Sequence, residues 1–329
     1  FTMEGDPSLP VIADSWLRGL RGFDIDLAYE AMRKSATTPG KDNPIRPDND
    51  DYIGRGYIPL REQYDNSVSH ALEYYIADWS LGQLAKALGK DDDYELFDAR
   101  SMGYKHYYDK STGAMRPITP DGKFLEPFNP KQGENFEPVP GFHEGSAWNY
   151  TFAVPHDPMG LAKLMGGKRN FVANLQTIFD DGHFDMANEP DIIYPYLFSH
   201  FRGEEWRTQR TVHELLDKYF RNDPAGLPGN DDTGTMSTWA IFSMAGFYPD
   251  CPGDPTYTFT SPVFDRIEIS LDPAYWGNDK VILEVQRPDG GNSIYIDHIE
   301  VDGRRHKDYT ISHADFVKAR RITFVMKGE

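Results

Sequence analysis

The sequence predicts a mainly α-helical protein, with a helical domain over residues 1–250 and a small unit of β-strands over residues 251–329. Two observations predict this fold class. Before residue 250, apolar side chains recur at steps of three and four residues, which is the spacing along one face of an α-helix. After Pro252-Gly253, short segments such as KVILEVQ and RITFVM alternate and are rich in β-branched residues, as strands are.

The clearest predicted helix begins at Ser67, and Gly89 follows its last apolar residue, where a helix C-terminus favours glycine. Its apolar positions are Val68, Leu72, Tyr75, Ile76, Trp79, Leu84 and Leu88. Asp24 and Asp93 are predicted to be the N-caps of two further helices. Shorter helical patterns cover residues 158–165, 171–179, 191–200, 204–219 and 234–244. In the β unit, Asp302-Gly303 is a turn signal between two strands.

The composition excludes several classes of partner. The formal net charge of the 329 residues is −18, whereas nucleic acid and anionic membranes select basic surfaces. No apolar run approaches the roughly 18–20 residues that a membrane-spanning helix needs. Cys251 is the one cysteine, so the chain forms no intrachain disulfide and has no zinc-type cysteine cluster.

Three loops place acids beside aromatic or helix-starting residues, and the first covers residues 141–161. Glu144 lies just before a predicted helix start that carries Trp148, and His156 and Asp157 follow between two prolines. A carboxyl group enclosed by aromatic rings has a raised pKa, which suits a general acid. The alternative is that Glu144 only caps or lines the helix start.

The second loop covers residues 185–198, where Asn188 and Glu189 offer hard oxygen ligands of the kind that calcium prefers. The alternative is that Glu189 is a solvated loop acid. In the third loop, Asp231 and Asp232 precede a helix that starts near Gly234. A helix N-terminus favours the ionised carboxylate, which suits a general base as well as a plain N-cap.

These loops leave two hypotheses open. The chain is either a carbohydrate hydrolase with a protonated glutamate and an ionised aspartate, or a non-catalytic helical domain that binds glycans or serves as a scaffold. The hydrolase needs one carboxyl pKa raised and another lowered within one pocket, whereas the binding domain needs neither.

Several motifs together resemble glycoside hydrolase family 92, the calcium-dependent exo-α-mannosidases. They are, in order, GFHEGSAWNYTFAVPHDPMGL, NEPDIIYPYLF and GLPGNDDTGTMSTWAIFSMAGFYPDCPG. The resemblance implies an N-terminal β-sandwich followed by an (α/α)6 barrel, with this chain beginning inside the barrel. It also implies mannose-containing glycans as substrates, as in N-glycan degradation, and the missing N-terminal part of the same protein as a partner. The implied location is the periplasm, the cell surface or the medium of a bacterium.

The resemblance also assigns roles to residues. Glu144 matches the general acid and Asp232 the general base of an inverting reaction, and Asn188 and Glu189 match the segment associated with Ca²⁺. The residues expected to line or support the substrate pocket are Trp148, His156, Asp157, Met186, Ala187, Asn230 and Asp231. Met186 and Ala187 stand where α-1,2-specific members carry a His-Glu pair, which disfavours α-1,2 specificity.

Overall fold

The computed structural model describes residues 4–61, 66–134, 137–288 and 290–328. The chain forms two compact units. The first comprises Phe1–Asp191 with Cys251–Asp254, and the second comprises Ile192–Asp250 with Pro255–Glu329. The change from helices to strands falls near residue 250, as predicted, but the compact units divide elsewhere. A domain boundary at 250/251 therefore stays a prediction.

The first unit is helical. Its elements are α1 (Ser8–Leu17), α2 (Ile25–Thr37), α3 (Asn49–Arg55), α4 (Ser67–Ala87), α5 (Asp91–Ser101), β1 (Tyr108–Asp109), β2 (Ala114–Met115), α6 (Ala147–Thr151), α7 (Pro158–Leu164) and α8 (Lys168–Asp180). The helix predicted from Ser67 is confirmed, with Gly89 just beyond its end at φ +71°. Helix α4 packs against α1 and α5, so apolar residues all round it are buried.

The two predicted N-caps have different outcomes. Asp24 is confirmed, since its side chain accepts hydrogen bonds from the backbone N–H groups of Asp26 and Leu27. Asp93 as an N-cap is wrong, because α5 begins two residues earlier. Asp93 lies in the first turn of α5. Its carboxylate accepts a hydrogen bond from the Tyr29 hydroxyl at 2.8 Å and forms an ion pair with Arg33 at 2.9 Å.

A buried ionic network joins the helices of the first unit. Arg46, which is fully buried, donates from Nε to Asp6 and from Nη1 to Asp78, both at 2.8 Å. Asp78 lies on α4 and also accepts hydrogen bonds from Tyr52 at 2.7 Å and Arg100 at 2.5 Å. Although burial acts to raise it, the charges of Arg100 and Arg46 hold the pKa of Asp78 below its usual value. The network therefore links α3, α4 and α5 to the segment before α1.

The second unit combines helices with two sheets. Its elements are α9 (Tyr194–Leu197), α10 (Glu205–Tyr219), α11 (Thr235–Ala245), β3 (Phe247–Tyr248), β4 (Thr256–Phe259), β5 (Arg266–Ser270), α12 (Pro273–Trp276), β6 (Lys280–Gln286), β7 (Ile296–Val301), β8 (Arg304–His306), β9 (Thr310–Ser312), α13 (His313–Lys318) and β10 (Arg321–Met326). The helix predicted over 191–200 is shorter, with α9 flanked by 3₁₀ turns at Glu189–Ile193 and Phe198–His200.

The predicted C-terminal strands are confirmed. The larger sheet has the order β5-β6-β10-β7-β8, in which β6 and β10 are parallel and the other neighbours antiparallel. The smaller sheet has the order β3-β4-β9. Alternate residues of these strands form one apolar core with α13, which includes Leu283, Ile322 and Phe324. Among the described residues, no helix has both the length and the apolar character that a membrane crossing requires.

Candidate active site

The Glu144 loop connects a buried turn to the start of α6. Glu144 has φ 49°, a left-handed conformation that is uncommon for a residue with a side chain. Two residues later Ser146 caps α6, because its hydroxyl accepts a hydrogen bond from Trp148 N, and Asn149 completes a capping box with the Ser146 backbone. The cap fixes where α6 starts, and the left-handed residue turns the Glu144 side chain away from the helix.

The backbone around Glu144 is held from several sides. The Asn188 side chain donates from Nδ2 to the Glu144 carbonyl at 3.1 Å. The Tyr150 hydroxyl donates to the His143 carbonyl at 2.6 Å, and His143 N donates to the Ser69 hydroxyl on α4 at 3.1 Å. A left-handed residue of this kind costs about 1–3 kcal/mol and persists where its surroundings over-determine it, which is typical of functional sites.

The enclosure of Glu144 by aromatic rings, predicted from the sequence, is not found among the residues that the structure describes. The Glu144 side chain is 60% exposed, and its closest described ion-pair partner is His143 Nε2 at 3.8 Å. The neighbouring aromatic side chains turn inward instead: Tyr150 is 5% exposed and Phe152 is fully buried. The carboxyl group therefore stands in the open, on a backbone that is fixed.

Three other residues predicted for this loop have structural contacts. The Trp148 ring stacks on His183, with ring centres 5.0 Å apart and planes 5° apart. His156 donates from Nε2 to the Ser101 carbonyl at 3.1 Å, and burial lowers its pKa to about 4. Asp157 caps α7 through Gly160 N and accepts a hydrogen bond from the Tyr104 hydroxyl. Contact of Trp148, His156 or Asp157 with a substrate stays a prediction.

The turn that carries Asn188 and Glu189 is built around Asp191, which is fully buried. One Asp191 carboxylate oxygen accepts hydrogen bonds from Asn149 Nδ2 and from Asp185 N, both at 2.8 Å. Burial raises the pKa of Asp191 well above its usual value. Asp191 and Asn149 were missed from the sequence, where an aspartate at the end of NEPD and an asparagine in a helix start carry no distinctive signal.

Met186 and Ala187 lie in the same turn, before the two residues predicted to bind calcium. The Met186 side chain is fully buried, and Ala187 N donates to the Asp185 carboxylate at 2.9 Å. Neither side chain carries a polar group that could reach a sugar. Whether a substrate contacts Met186 or Ala187 stays a prediction.

Asn188, which is buried, and Glu189, which is exposed, follow each other in this turn, and the charge of Glu189 acts on a third acid. Asn188 is 4% exposed and donates through its amide nitrogen, while none of the described residues donates to its amide oxygen. Glu189 is exposed, and its charge, added to burial, raises the pKa of Glu73 on α4 to about 7. Glu73 was missed from the sequence because it lies within an otherwise apolar helix. Amide and carboxylate oxygens are the ligands that a hard cation such as Ca²⁺ prefers. A bound cation would also relieve the repulsion between Glu189 and Glu73.

Clusters of three or more His, Cys, Asp or Glu side chains with metal-binding geometry are absent from the ranges that the structure describes. A calcium site also uses amide and backbone carbonyl oxygens and water. Asn188 and Glu189 are therefore a partial donor set, and the bound metal stays a prediction.

The second unit carries Asn230, Asp231 and Asp232, all of which are exposed. Asp232 has φ 43° and Thr233 φ 59°, and Gly234 continues the left-handed run at φ 91° before α11 starts. In the described chain, the one further non-glycine residue with positive φ is Asp302, in the tight turn between β7 and β8.

The two neighbouring acids have different partners. The Asp231 carboxylate accepts hydrogen bonds from Ser237 N at 2.8 Å and from the Ser237 hydroxyl at 3.0 Å, so it holds the first turn of α11. Asp232 contributes its carbonyl, which accepts from Thr235 N and from the Thr235 hydroxyl. No described residue donates a hydrogen bond to the Asp232 carboxylate. The hydrogen bonds that hold the start of α11 are thus made by the Asp231 side chain and not by that of Asp232, and the role of Asp232 as a general base stays a prediction.

The chain was compared with known families and proteins. The model of the Glycosyl hydrolase family 92 catalytic domain matches residues 1–328. An uncharacterized secreted glycosidase from Arthroderma benhamiae is 26% identical over 362 residues, which cover 100% of this chain and 46% of that protein.

Solved structures are similar to this chain over nearly its whole length. A family GH92 α-mannosidase from Bacteroides thetaiotaomicron, also solved in complex with mannoimidazole, is 30% identical with a TM-score of 0.88, over 100% of this chain and 42% of that one. A family GH92 inverting mannosidase from Bacteroides thetaiotaomicron VPI-5482 is 26% identical with a TM-score of 0.89, over 99% and 46%. The chain thus spans less than half the length of these relatives. Their likeness confirms the predicted fold class, an (α/α)6-barrel-type helical domain followed by a small β unit.

The raised pKa of Glu73 predicts how stability depends on pH. The pKa of Glu73 in the folded state is about 7, whereas its usual value is 4.5. The folded state therefore favours the protonated form of Glu73. Its contribution is fully present below the unfolded pKa and is lost as the pH rises through about 7. In calcium-free buffer, Glu73→Gln should flatten the fall in the free energy of unfolding between about pH 5 and about pH 8, measured by urea titration.

Glu30, an exposed glutamate of α2, provides the matched control. Glu30→Gln should leave the slope of stability against pH as in the wild type. A slope that Glu73→Gln also leaves unchanged would contradict the assignment of this titration to Glu73.

Proposed function

Because the chain belongs to glycosyl hydrolase family 92, we propose that it supplies the acid and the base of an exo-α-mannosidase that releases terminal mannose from α-mannosides. One observation carries this proposal: Glu144 and Asp232 both stand on fixed left-handed backbone with side chains exposed. Since the chain spans less than half the length of its relatives, the activity proposed is that of the whole protein.

Glu144 is proposed as the general acid. It would donate its proton to the glycosidic oxygen as the bond to the leaving sugar breaks, which requires the carboxyl group to be protonated and within hydrogen-bond reach. The hydrogen bond from Asn188 to the Glu144 carbonyl and the Ser69 contact to His143 fix the position of the loop. Trp148, His156 and Asp157, further along the same loop, are proposed to line or support the substrate pocket.

Asp232 is proposed as the general base. It would remove a proton from a water molecule that attacks the anomeric carbon from the opposite face, giving inversion. In inverting enzymes the two carboxyl groups are roughly 6.5–9.5 Å apart, which leaves room for that water. The Asp232 carboxylate is exposed to water and free of described donors, while Asp231 stabilises the helix behind it. Asn230 is proposed to contact the sugar or this water.

Asn188 and Glu189 are proposed to hold a Ca²⁺ ion. Calcium takes 6–8 oxygen ligands, so water, sugar hydroxyls or further protein groups would complete the set. When bound, the ion would fix the 2- and 3-hydroxyls of mannose and assist distortion of the ring. The polypeptide contributes the orientation of Asn188, whose amide nitrogen donates to the Glu144 carbonyl, and the amide oxygen is proposed as the calcium ligand.

The residues at the positions expected to contact the leaving sugar, Met186 and Ala187, disfavour an α-1,2 linkage. Met186 is buried and Ala187 has no polar side-chain atom, so neither offers a hydrogen bond to a leaving sugar. We propose mannose-containing glycans, including those on glycoproteins, as the substrates of the secreted, periplasmic or surface-exposed bacterial enzyme.

One observation favours a second candidate. Glu144 is 60% exposed, and this chain alone does not desolvate it as a general acid requires. A non-catalytic glycan-binding or scaffold domain would leave Glu144 in that state. Kinetics of variants separate the two functions, because a binding domain has no turnover to lose.

The first kinetic prediction concerns Glu144→Gln in the active enzyme. Turnover of unactivated mannosides should fall by about 10²–10⁴-fold, because the glycosidic oxygen loses its proton donor. Aryl mannosides with very good leaving groups need less protonation and should lose less, as measured by kcat for both substrate types. An equal loss on both would remove Glu144 from the role of acid.

The second kinetic prediction separates Asp232 from Asp231. Asp232→Asn should lower activity by about two to four orders of magnitude at an unchanged melting temperature, because its carboxylate holds no part of the fold. Asp231→Asn should retain most activity and lose up to about 1 kcal/mol of stability, because a charge leaves the N-terminus of α11. An Asp232→Asn variant that keeps most of its turnover would exclude Asp232 as the base.

The third prediction concerns the metal. Chelation with EDTA should stop turnover and lower the melting temperature, because an ion that binds only the folded state stabilises it. Calcium should restore both better than zinc, since the donors are oxygens. Asn188→Ala should abolish the calcium-dependent shift in melting temperature. If EDTA and dialysis change neither the turnover nor the melting temperature, the metal site is excluded and Glu189 is a solvated loop acid.

A further inference from the structure

The second unit contains an open cavity of 810 Å³ that the proposed reaction does not use. It lies between the loop 199–205 before α10 and the segment from β7 to β9, and we refer to it as the β8 cavity. Small-molecule sites typically measure about 300–1,000 Å³, so the β8 cavity is large enough for an oligosaccharide segment. Asn230, Asp231 and Asp232 are not among its lining residues.

The loops that line the β8 cavity are held by internal hydrogen bonds. His306 Nε2 donates to the Thr310 carbonyl at 2.7 Å and so closes the loop between β8 and β9. On the opposite wall, Gly203 N donates to the Glu205 carboxylate at 2.7 Å, and the Ser199 hydroxyl donates to Thr208 at 2.8 Å. Because these walls are formed before any ligand binds, binding requires little ordering of the backbone.

Several polar side chains of this cavity have unused hydrogen-bonding capacity. The side chains of Arg305, Lys307 and Asp308 form no hydrogen bond and no ion pair with any part of the chain that the structure describes, although the charge of Arg305 helps to lower the pKa of Asp297. Asp297 is already engaged, since His298 Nδ1 lies 2.7 Å from its carboxylate. A ligand that binds over these side chains could accept hydrogen bonds from Arg305 and Lys307 and donate one to Asp308.

The charges of the lining argue for a neutral ligand rich in hydroxyl groups. The cations Arg202, Arg305 and Lys307 are matched in number by the carboxylates Glu205, Asp297 and Asp308. An anion would face these carboxylates, and a cation would face the basic groups. A hydroxyl both donates and accepts a hydrogen bond, so a sugar can use neighbouring donors and acceptors at once. Tyr309, whose ring packs partly against the apolar core, also lines the cavity and offers a sugar the part of its aromatic surface that remains accessible.

We propose that the β8 cavity is a second glycan-binding site, which takes a neutral mannose-rich oligosaccharide and retains long chains near the enzyme. The choice of mannose rests on the proposed function, whereas the choice of a neutral, hydroxyl-rich ligand rests on the lining. Loss of this site should weaken binding of polymeric mannan and leave cleavage of small aryl mannosides unchanged.

Native gel electrophoresis with and without neutral α-mannan in the gel tests the proposal without requiring turnover. Mannan should retard the wild-type chain, and Arg305→Ala/Lys307→Ala should be retarded with roughly tenfold lower affinity, as expected for lost charge-assisted hydrogen bonds. Arg266→Ala/Lys280→Ala is the matched control, because it removes the same two charges from exposed positions on β5 and β6. This control should be retarded like the wild type.

Asp308→Ala distinguishes the class of ligand. A neutral glycan should bind it more weakly because an acceptor is lost, whereas an anionic glycan should bind it more tightly because a repelling charge is lost. Absence of retardation, equal retardation of wild type and Arg305→Ala/Lys307→Ala, or retardation only by phosphorylated mannan would each overturn the proposal. Retardation through this cavity, together with a whole protein that cleaves no mannoside, would refute the proposed function and support the second site.

Discussion

The buried carboxylate of Asp78 is the interaction on which the first unit depends. It lies on α4, and Arg46, Arg100 and Tyr52 converge on it from three other segments. Arg46 carries the connection on to Asp6, which also accepts hydrogen bonds from Ser8 and Ser35. Removal of one partner from such a network leaves a buried charge uncompensated, which typically costs about 3–5 kcal/mol. The position of α4 relative to α1, α3 and α5 is set by this network as much as by apolar packing.

The candidate site depends on α4 in turn. The backbone N–H groups of Val68 and Ser69, in its first turn, both donate to the Gly141 carbonyl, and the Ser69 hydroxyl accepts from His143 N. One turn later, Glu73 reaches the charge of Glu189. The strained backbone at Glu144 is therefore attached to a helix whose own place is fixed by buried ion pairs. Rigid support of this kind fixes the backbone from which the exposed Glu144 side chain projects.

Regular elements could be predicted from the sequence, and the conformations of single loop residues could not. The apolar spacing and Gly89 were enough for α4, and β-branched alternation was enough for the C-terminal strands, because both patterns follow from the geometry of the element itself. The barrel class came from the resemblance. The sequence could not show which of Asp231 and Asp232 caps α11, since that depends on a left-handed turn from Asp232 to Gly234. Nor could it show that Glu144 is exposed, because the inward rotation of Tyr150 is a tertiary contact.

The acids of this chain differ in whether their carboxylates accept hydrogen bonds that stabilise the fold. This difference distinguishes acids with a structural role from the candidates for catalysis. Asp78, Asp157, Asp191 and Asp231 all accept hydrogen bonds that fix a helix or a turn. Among the described residues, no donor forms a hydrogen bond with the carboxylate of Glu144 or Asp232, and Glu144 has only a 3.8 Å ion-pair contact with His143, although the backbones of both acids are constrained. For a base that must meet water, the open position of Asp232 is already suitable. A general acid needs a drier site, and since the aromatic rings of α6 turn away from Glu144, we infer that the sugar itself supplies part of the enclosure when it binds.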